Sequence, residues 1–169
     1  MTVLHKARWG WLVVALLLLV GCATRPKTEV AKDPNFGQWS GRLALKLEGE
    51  PPQSFSAGFE LIGNPQTGSL TLTGPFGSTA ALLSWLPGSA TLKSGRDTQQ
   101  FSNVDALIAH VTGTPVPAQA LFDWLNGKNT RIAGWEADLS QLSAGRLVAR
   151  QPQPPRLAEL RIVLQNPHE

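Results

Sequence analysis

Leu43, Leu45 and Leu47 alternate with Arg42, Ala44 and Lys46, and the same period of two returns where Phe55, Ala57, Phe59 and Leu61 stand against Ser54, Ser56, Gly58 and Glu60. Side chains two apart share one face of an extended chain, so each run predicts a strand with one apolar face. Leu70 and Leu72 among Ser69, Thr71 and Thr73 repeat the pattern. The more uniformly apolar Ala80 to Leu86 and the short Ala90 to Leu92 follow, divided by glycine and proline breaks. Together they predict a meander of antiparallel strands.

The period then changes. Val104, Leu107, Ile108 and Val111 stand at i, i+3, i+4 and i+7, which predicts an amphipathic helix with Ser102 as its N-cap, Asp105 completing a capping box and Gly113 as its stop. Pro117 through Leu121, Trp124 and Leu125 to Gly127 predicts a second short helix. Strand character resumes at Trp135–Leu139, Arg146–Arg150 and Leu157–Leu164, the last with Leu160, Ile162 and Leu164 on one face. Pro152-Gln153-Pro154-Pro155 turns between the final two. One curved sheet closing partly around its apolar face, with the helices over the opening, satisfies these patterns, and a sandwich is the alternative.

The N-terminal residues change the picture from a bare domain to an exported one. His5, Lys6 and Arg8 precede ten apolar residues, Trp11 to Val20, and the segment ends Leu19-Val20-Gly21-Cys22. Ten apolar residues are too few for a spanning helix, which needs about 20, so residues 1–21 read as a signal peptide. Small residues before a cysteine fit a bacterial lipobox, with Cys22 as the thiol that accepts lipid. Residues 22–36 then read as the lipidated cysteine and a flexible tether, polar and twice interrupted by proline, and residues 37–169 as a single domain. The stretch Ala23–Phe36 reaches about 45 Å extended or about 20 Å as a coil.

Cys22 is the only cysteine, so no intramolecular disulfide can form and the core must hold the fold. The whole chain has 15 basic and 12 acidic residues; loss of Lys6 and Arg8 leaves 13 against 12. That near balance removes the electrostatic case for nucleic-acid binding. Arg42, Lys93, Arg96, Arg146 and Arg150 are either a docking face or scattered surface charge.

Catalytic and metal chemistry find little to stand on. His5 leaves with the signal peptide, His110 lies on the first predicted helix and His168 is next to the chain end, so no ligand set forms. Ser78 and Ser84 lack a nucleophile elbow and a base, Glu48 and Glu50 flank Gly49 in a predicted loop, and no phosphate-cradling glycine pattern occurs. The expectation is a protein that is not an enzyme and takes no cofactor and no metal. Two groups of apolar residues remain to be explained. Phe76, within Gly74-Pro75-Phe76-Gly77-Ser78, sits in a predicted turn, where it either folds back as a plug or forms a membrane- or partner-facing tip. Trp39, Trp85, Trp124 and Trp135 either fill a core or line a cavity.

The order of these features resembles the LolB family, outer-membrane lipoproteins that receive other lipoproteins from the periplasmic carrier LolA. The resemblance rests on Trp39-Ser40-Gly41-Arg42-Leu43-Ala44-Leu45, on Phe55-Ser56-Ala57-Gly58-Phe59-Glu60-Leu61, on Gly74-Pro75-Phe76-Gly77-Ser78-Thr79, and on Leu107 to Trp124 with Thr112-Gly113-Thr114-Pro115-Val116-Pro117 inside it. It implies a mainly β fold, an unclosed and strongly curved antiparallel barrel with a helical lid over an apolar cavity that holds acyl chains. Cavity candidates are Trp39, Leu43, Leu45, Phe55, Phe59, Leu70, Leu72, Trp85, Leu107 and Trp124. It also implies that Phe76, flanked by Pro75 and Gly77, carries the family's membrane insertion loop, where Leu is often found. Ala23 after Cys22, in place of an aspartate, implies sorting to the outer membrane with the domain facing the periplasm. Expected partners are the loaded LolA carrier, the acyl chains of lipoprotein cargo and the outer membrane, bound by a monomer. The competing reading is a structural envelope lipoprotein, a scaffold subunit with a packed interior and no cavity. A small lipid-anchored hydrolase is the third.

Overall fold

The computed structural model describes residues 36–132, 134–152 and 157–165. The signal peptide, Cys22, nearly all of the tether, the Gln153-Pro154-Pro155 part of the expected turn and His168 lie outside the described residues.

Among the described residues nine strands form one antiparallel sheet: β1 (Gly37–Leu47), β2 (Gln53–Gly63), β3 (Gly68–Thr73), β4 (Thr79–Leu86), β5 (Ser89–Ser94), β6 (Asp97–Phe101), β7 (Glu136–Asp138), β8 (Arg146–Gln151) and β9 (Ala158–Leu164). Their order is β6-β5-β4-β3-β2-β1-β9-β8-β7, so β1 lies between the second strand and the last. β6 and β7 are free edges. The sheet is open, and all nine strands in one sheet exclude a sandwich. Two helices, α1 (Val104–Thr112) and α2 (Ala118–Leu125), separate β6 from β7.

The alternation read from the sequence sets the two faces. Leu45, Leu47, Ala57, Phe59, Leu61, Leu72, Leu160 and Ile162 are buried on the inner face, while Arg42, Lys46, Glu60 and Arg161 face outward. In β4 the inward Leu83 and Trp85 are buried, whereas Leu82 and Leu86 point out and stay exposed, which explains why no alternation marks this strand. Curvature needs backbone freedom where β1 meets β9. Gly41 has φ 155, and a methyl group there would overlap the Val163 carbonyl oxygen and the Leu164 main chain.

Two local expectations change. The N-cap of α1 is Asn103, not Ser102: the Asn103 side chain accepts from the Ala106 N–H at 2.8 Å. Asp105, expected to complete the box, instead accepts from the Ala118 N–H at 2.8 Å and so caps α2, whose own N-cap Pro117 has no side-chain acceptor. Gly113 ends α1 as read, with φ 68 and its N–H on Ala109. β6 has no apolar alternation, since only Phe101 is apolar in Asp-Thr-Gln-Gln-Phe. Its signal is the two-residue turn Gly95-Arg96, with Gly95 at φ 60 and Ser94 paired to Asp97.

Three tryptophans fix loops to this frame. The indole N–H groups of Trp85, Trp124 and Trp135 donate to the carbonyls of Asn64, Thr130 and Pro115, each at 2.9 Å. Satisfying the indole allows each large ring to be buried. Trp135 also packs against Trp124 with ring centres 6.3 Å apart.

Candidate functional site

The inner face of the sheet and the apolar faces of α1 and α2 enclose a cavity of about 100 Å³, lined by twenty residues. Thr112 carries the one hydroxyl among them, and it is turned to the main chain, its single proton shared between the carbonyls of Ile108 (2.7 Å) and Thr114 (2.6 Å). The Trp85 indole is satisfied by Asn64. The cavity wall is therefore apolar, suited to excluding water rather than to orienting a polar ligand.

Leu43, Leu45, Phe55, Phe59, Leu70, Leu72 and Trp85 line this cavity. Trp39, Leu107 and Trp124 do not. Trp39 is on the inner face but beyond Phe122, on whose ring it packs edge-on at 5.6 Å, so it closes one end of the core. Leu107 flanks the Val104–Ile108–Val111 stripe of α1 and is fully buried in packing. Trp124 stands about 100° around α2 from Leu125 and turns to Trp135 instead. Sequence reasoning also omitted Leu61, Leu83, Val104, Ile108, Val111, Val116, Leu121, Phe122, Leu125, Leu160 and Ile162 from the lining. The helical stripe and the alternation in β9 carried the signal for several of these; Leu83 was masked by its outward leucine neighbours.

The inter-helix loop is tied to the sheet. Thr114, buried, donates its hydroxyl to Oε1 of the buried Gln151 at the end of β8 (2.8 Å), and Trp135 holds the Pro115 carbonyl. These bonds set where α1 ends over the cavity.

Phe76 lies on the β3–β4 connection and is 97% exposed, so it is no plug. The turn explains this. Gly77 N–H donates to the Gly74 carbonyl (3.0 Å) and Gly74 N–H to the Ser78 carbonyl (2.9 Å), with Pro75 at the second turn position and Gly77 at φ 76. Phe76 occupies the third position, facing away from the sheet. A register shift between Leu72 and Thr73 at the base of the hairpin adds local twist.

The five cations considered as a docking face divide. Arg42 and Arg146 flank Val163 on the outer face of β1, β9 and β8, with Arg150 on the same strands, while Lys93 and Arg96 lie on β5 and its turn. Glu159 accepts from Arg161 (2.6 Å) and Arg150 (2.7 Å), and these two bonds, Arg161's first, hold its carboxyl below the ordinary value of 4.5. Asp138 is lowered by its bonds to the Ser140 side chain and N–H. Because the Glu159 pKa is depressed on folding, its contribution is complete above the ordinary glutamate range and fades as pH falls through the lowered value. Urea midpoints of the protein and of Glu159→Gln should thus differ slightly at neutral pH and converge in acid, the difference being small for an exposed pair.

His110 is exposed in the last turn of α1 against Phe101, ring centres 5.0 Å apart. Among the described residues no group of three His, Cys, Asp or Glu side chains converges to hold a metal, and no helix is long and apolar enough to cross a membrane.

The fold is thus an open antiparallel barrel with two helices over an apolar cavity. A family model described as "Outer membrane lipoprotein LolB" matches residues 37–162. An outer-membrane lipoprotein LolB of Bordetella petrii is 31% identical over 94% of this chain and 92% of its own length. That of Bordetella pertussis is 29% identical over 92% and 91%, and that of Halorhodospira halophila 34% identical over 69% and 62%. The chain belongs to the LolB family, the outer-membrane lipoproteins of lipoprotein localisation, a family of trafficking proteins rather than enzymes.

Proposed function

We propose that this protein receives lipoproteins from the periplasmic carrier LolA, holds their acyl chains in the cavity beneath α1 and α2, and inserts them into the outer membrane. The observation that carries this reading is the cavity's uniformly apolar wall, with its one hydroxyl satisfied by main chain. Such a wall recognises what all lipoprotein cargo shares, the lipid, and makes no demand on the attached polypeptide. The competing scaffold reading asks for a filled interior, which a cavity between lid and sheet disfavours.

Energetics explain why a receiver is needed. Each methylene withdrawn from water contributes about 0.8 kcal/mol, so an acyl chain of about 14 methylenes crossing water unprotected faces about 11 kcal/mol. A continuous apolar route from carrier to cavity to bilayer removes that barrier without breaking a bond. At about 100 Å³ the cavity is smaller than the 150 Å³ void that admits a benzene ring, so loading requires α1 and α2 to lift from the sheet.

Anchorage fits the same scheme. Cys22, lipidated after removal of residues 1–21, holds the domain at the outer membrane, with the domain on the periplasmic side. β1, 11 residues and about 36 Å long, starts at the end of the barrel remote from Phe76. The 14 residues Ala23–Phe36 reach about 45 Å, enough for the anchor and Phe76 to meet one bilayer. Burying Phe76 there adds about 1.5–3 kcal/mol, too little to hold a protein on a membrane and enough to orient one already held.

The test is a handover assay in which carrier loaded with labelled lipoprotein is mixed with the lipid-free domain. Cargo is expected to move to this protein and then to vesicles. Retention on the carrier at any ratio of the two proteins would overturn the reading.

A further inference from the structure

Of the twenty lining residues, eighteen are buried or half-buried, and the two that are exposed are Phe55 (44%) and Val111 (36%). Their positions coincide at one end of the barrel. Phe55 pairs with Leu45 and shares the inner face of β2 with Ala57, Phe59 and Leu61, so it points into the barrel at the rim. Val111 continues the Val104–Ile108 stripe in the last turn of α1, just before the loop that Thr114 and Gln151 tie to β8. β3 pairs with β2 only from Gly63 down to Gly58, opposite Thr73. Beyond that point the first residues of β2, Phe55 among them, lie at the end of the sheet where the Gly74–Ser78 turn presents Phe76.

We infer that Phe55 and Val111 form the sill of the cavity, the apolar threshold over which an acyl chain enters and leaves, aligned with Phe76 so that the exit opens toward the membrane. This rests on the acyl-binding reading above and deepens it. An inward-facing phenylalanine with so much surface in water has no packing partner to account for it on its open side. A sill does, because a passing methylene chain covers it transiently. The opposite end offers no such opening: there Trp39 and Trp85 both pack edge-on against Phe122, at 5.6 and 6.2 Å.

A sill and an ordinary lining residue differ in what they control. A lining residue sets affinity. A sill is crossed in both directions, so a charge on it slows loading and release together, which a residue that only lines the cavity does not do.

The experiment uses the lipid-free domain, a dye-labelled palmitoyl peptide and stopped-flow fluorescence, comparing the wild type with Phe55→Glu, Val111→Glu and, on the outer face, Leu82→Glu. For Phe55→Glu and Val111→Glu, the association rate is expected to fall by about tenfold or more and the dissociation rate to fall with it, since the chain must pass a carboxylate whose water it strips, whatever change in Kd their place in the lining adds. Leu82→Glu should behave as the wild type. Phe55→Gln, which carries no charge, should show a smaller slowing of the same kind if a glutamate variant proves unstable. Unchanged rates, or a weakened Kd with unchanged association, would overturn the sill. A wild type that binds no palmitoyl peptide would overturn the acyl-binding reading itself, an outcome distinct from either.

Discussion

Phe76→Glu is expected to slow delivery of cargo to vesicles by about tenfold to a hundredfold, the loss of one buried aromatic at the bilayer, while the protein folds and loads as before. The side chain is 97% exposed, so no core contact is lost and thermal unfolding should stay where it is. What is lost is roughly 1.5–3 kcal/mol of burial in the bilayer, replaced by a carboxylate that must be desolvated to approach the hydrocarbon. Phe76→Leu should deliver normally, because the turn made by Gly74, Pro75 and Gly77 presents any apolar side chain at that position in the same way. Delivery assayed with pre-loaded protein isolates this step from loading. Wild-type delivery by the glutamate variant would remove Phe76 from the mechanism, and loss of fold would contradict the exposure on which the expectation rests.

Trp124→Ala is expected to have the largest effect on stability, about 3–5 kcal/mol, the range found when a large buried aromatic is deleted. Trp124 is fully buried, bonds the Thr130 carbonyl and packs on Trp135, which in turn holds the Pro115 carbonyl between the helices. Its removal leaves a void and weakens the attachment of both helices to the sheet. Because Trp124 does not line the cavity, the damage should appear in urea unfolding and in lid protection from hydrogen exchange. Any fraction that remains folded should bind an acyl chain with near wild-type affinity. A stable variant with weakened acyl affinity would instead make Trp124 a lining residue.

The contrast between these two residues marks where the sequence was legible. Phe76 stands out because an aromatic in a Gly-Pro-Phe-Gly turn is locally anomalous, but whether it plugs the sheet or faces outward is decided only by the turn's hydrogen bonds, which leave it exposed. The strand faces of β1, β2 and β9 were readable, since period-two alternation is the imprint of a sheet with one wet side. Trp124 is only a cavity candidate in the sequence, because a bulky aromatic on an apolar helix face can fill a core or line a void, and the roll of α2 against the sheet decides for the core. Asp105 shows a second limit. Its spacing from Ser102 fits a capping box, yet its carboxylate serves the next helix, a partner thirteen residues away that no local pattern discloses. β6 was missed because an edge strand with both faces largely in water has no alternation to show. The family resemblance supplied the open barrel and lid, which periodicity alone left undivided from a sandwich.

The central claim is that the cavity beneath the helices takes the acyl chains of lipoprotein cargo. It is tested most directly by loading the protein with lipoprotein whose acyl chains end in a diazirine, irradiating, and mapping the labelled residues by mass spectrometry. Label is expected on inner-face and lid residues that line the cavity, among them Phe59, Leu72, Leu83 and Ile108. Label confined to outer-face residues such as Leu82, Leu86 and Val163, with none on the lining, would contradict it.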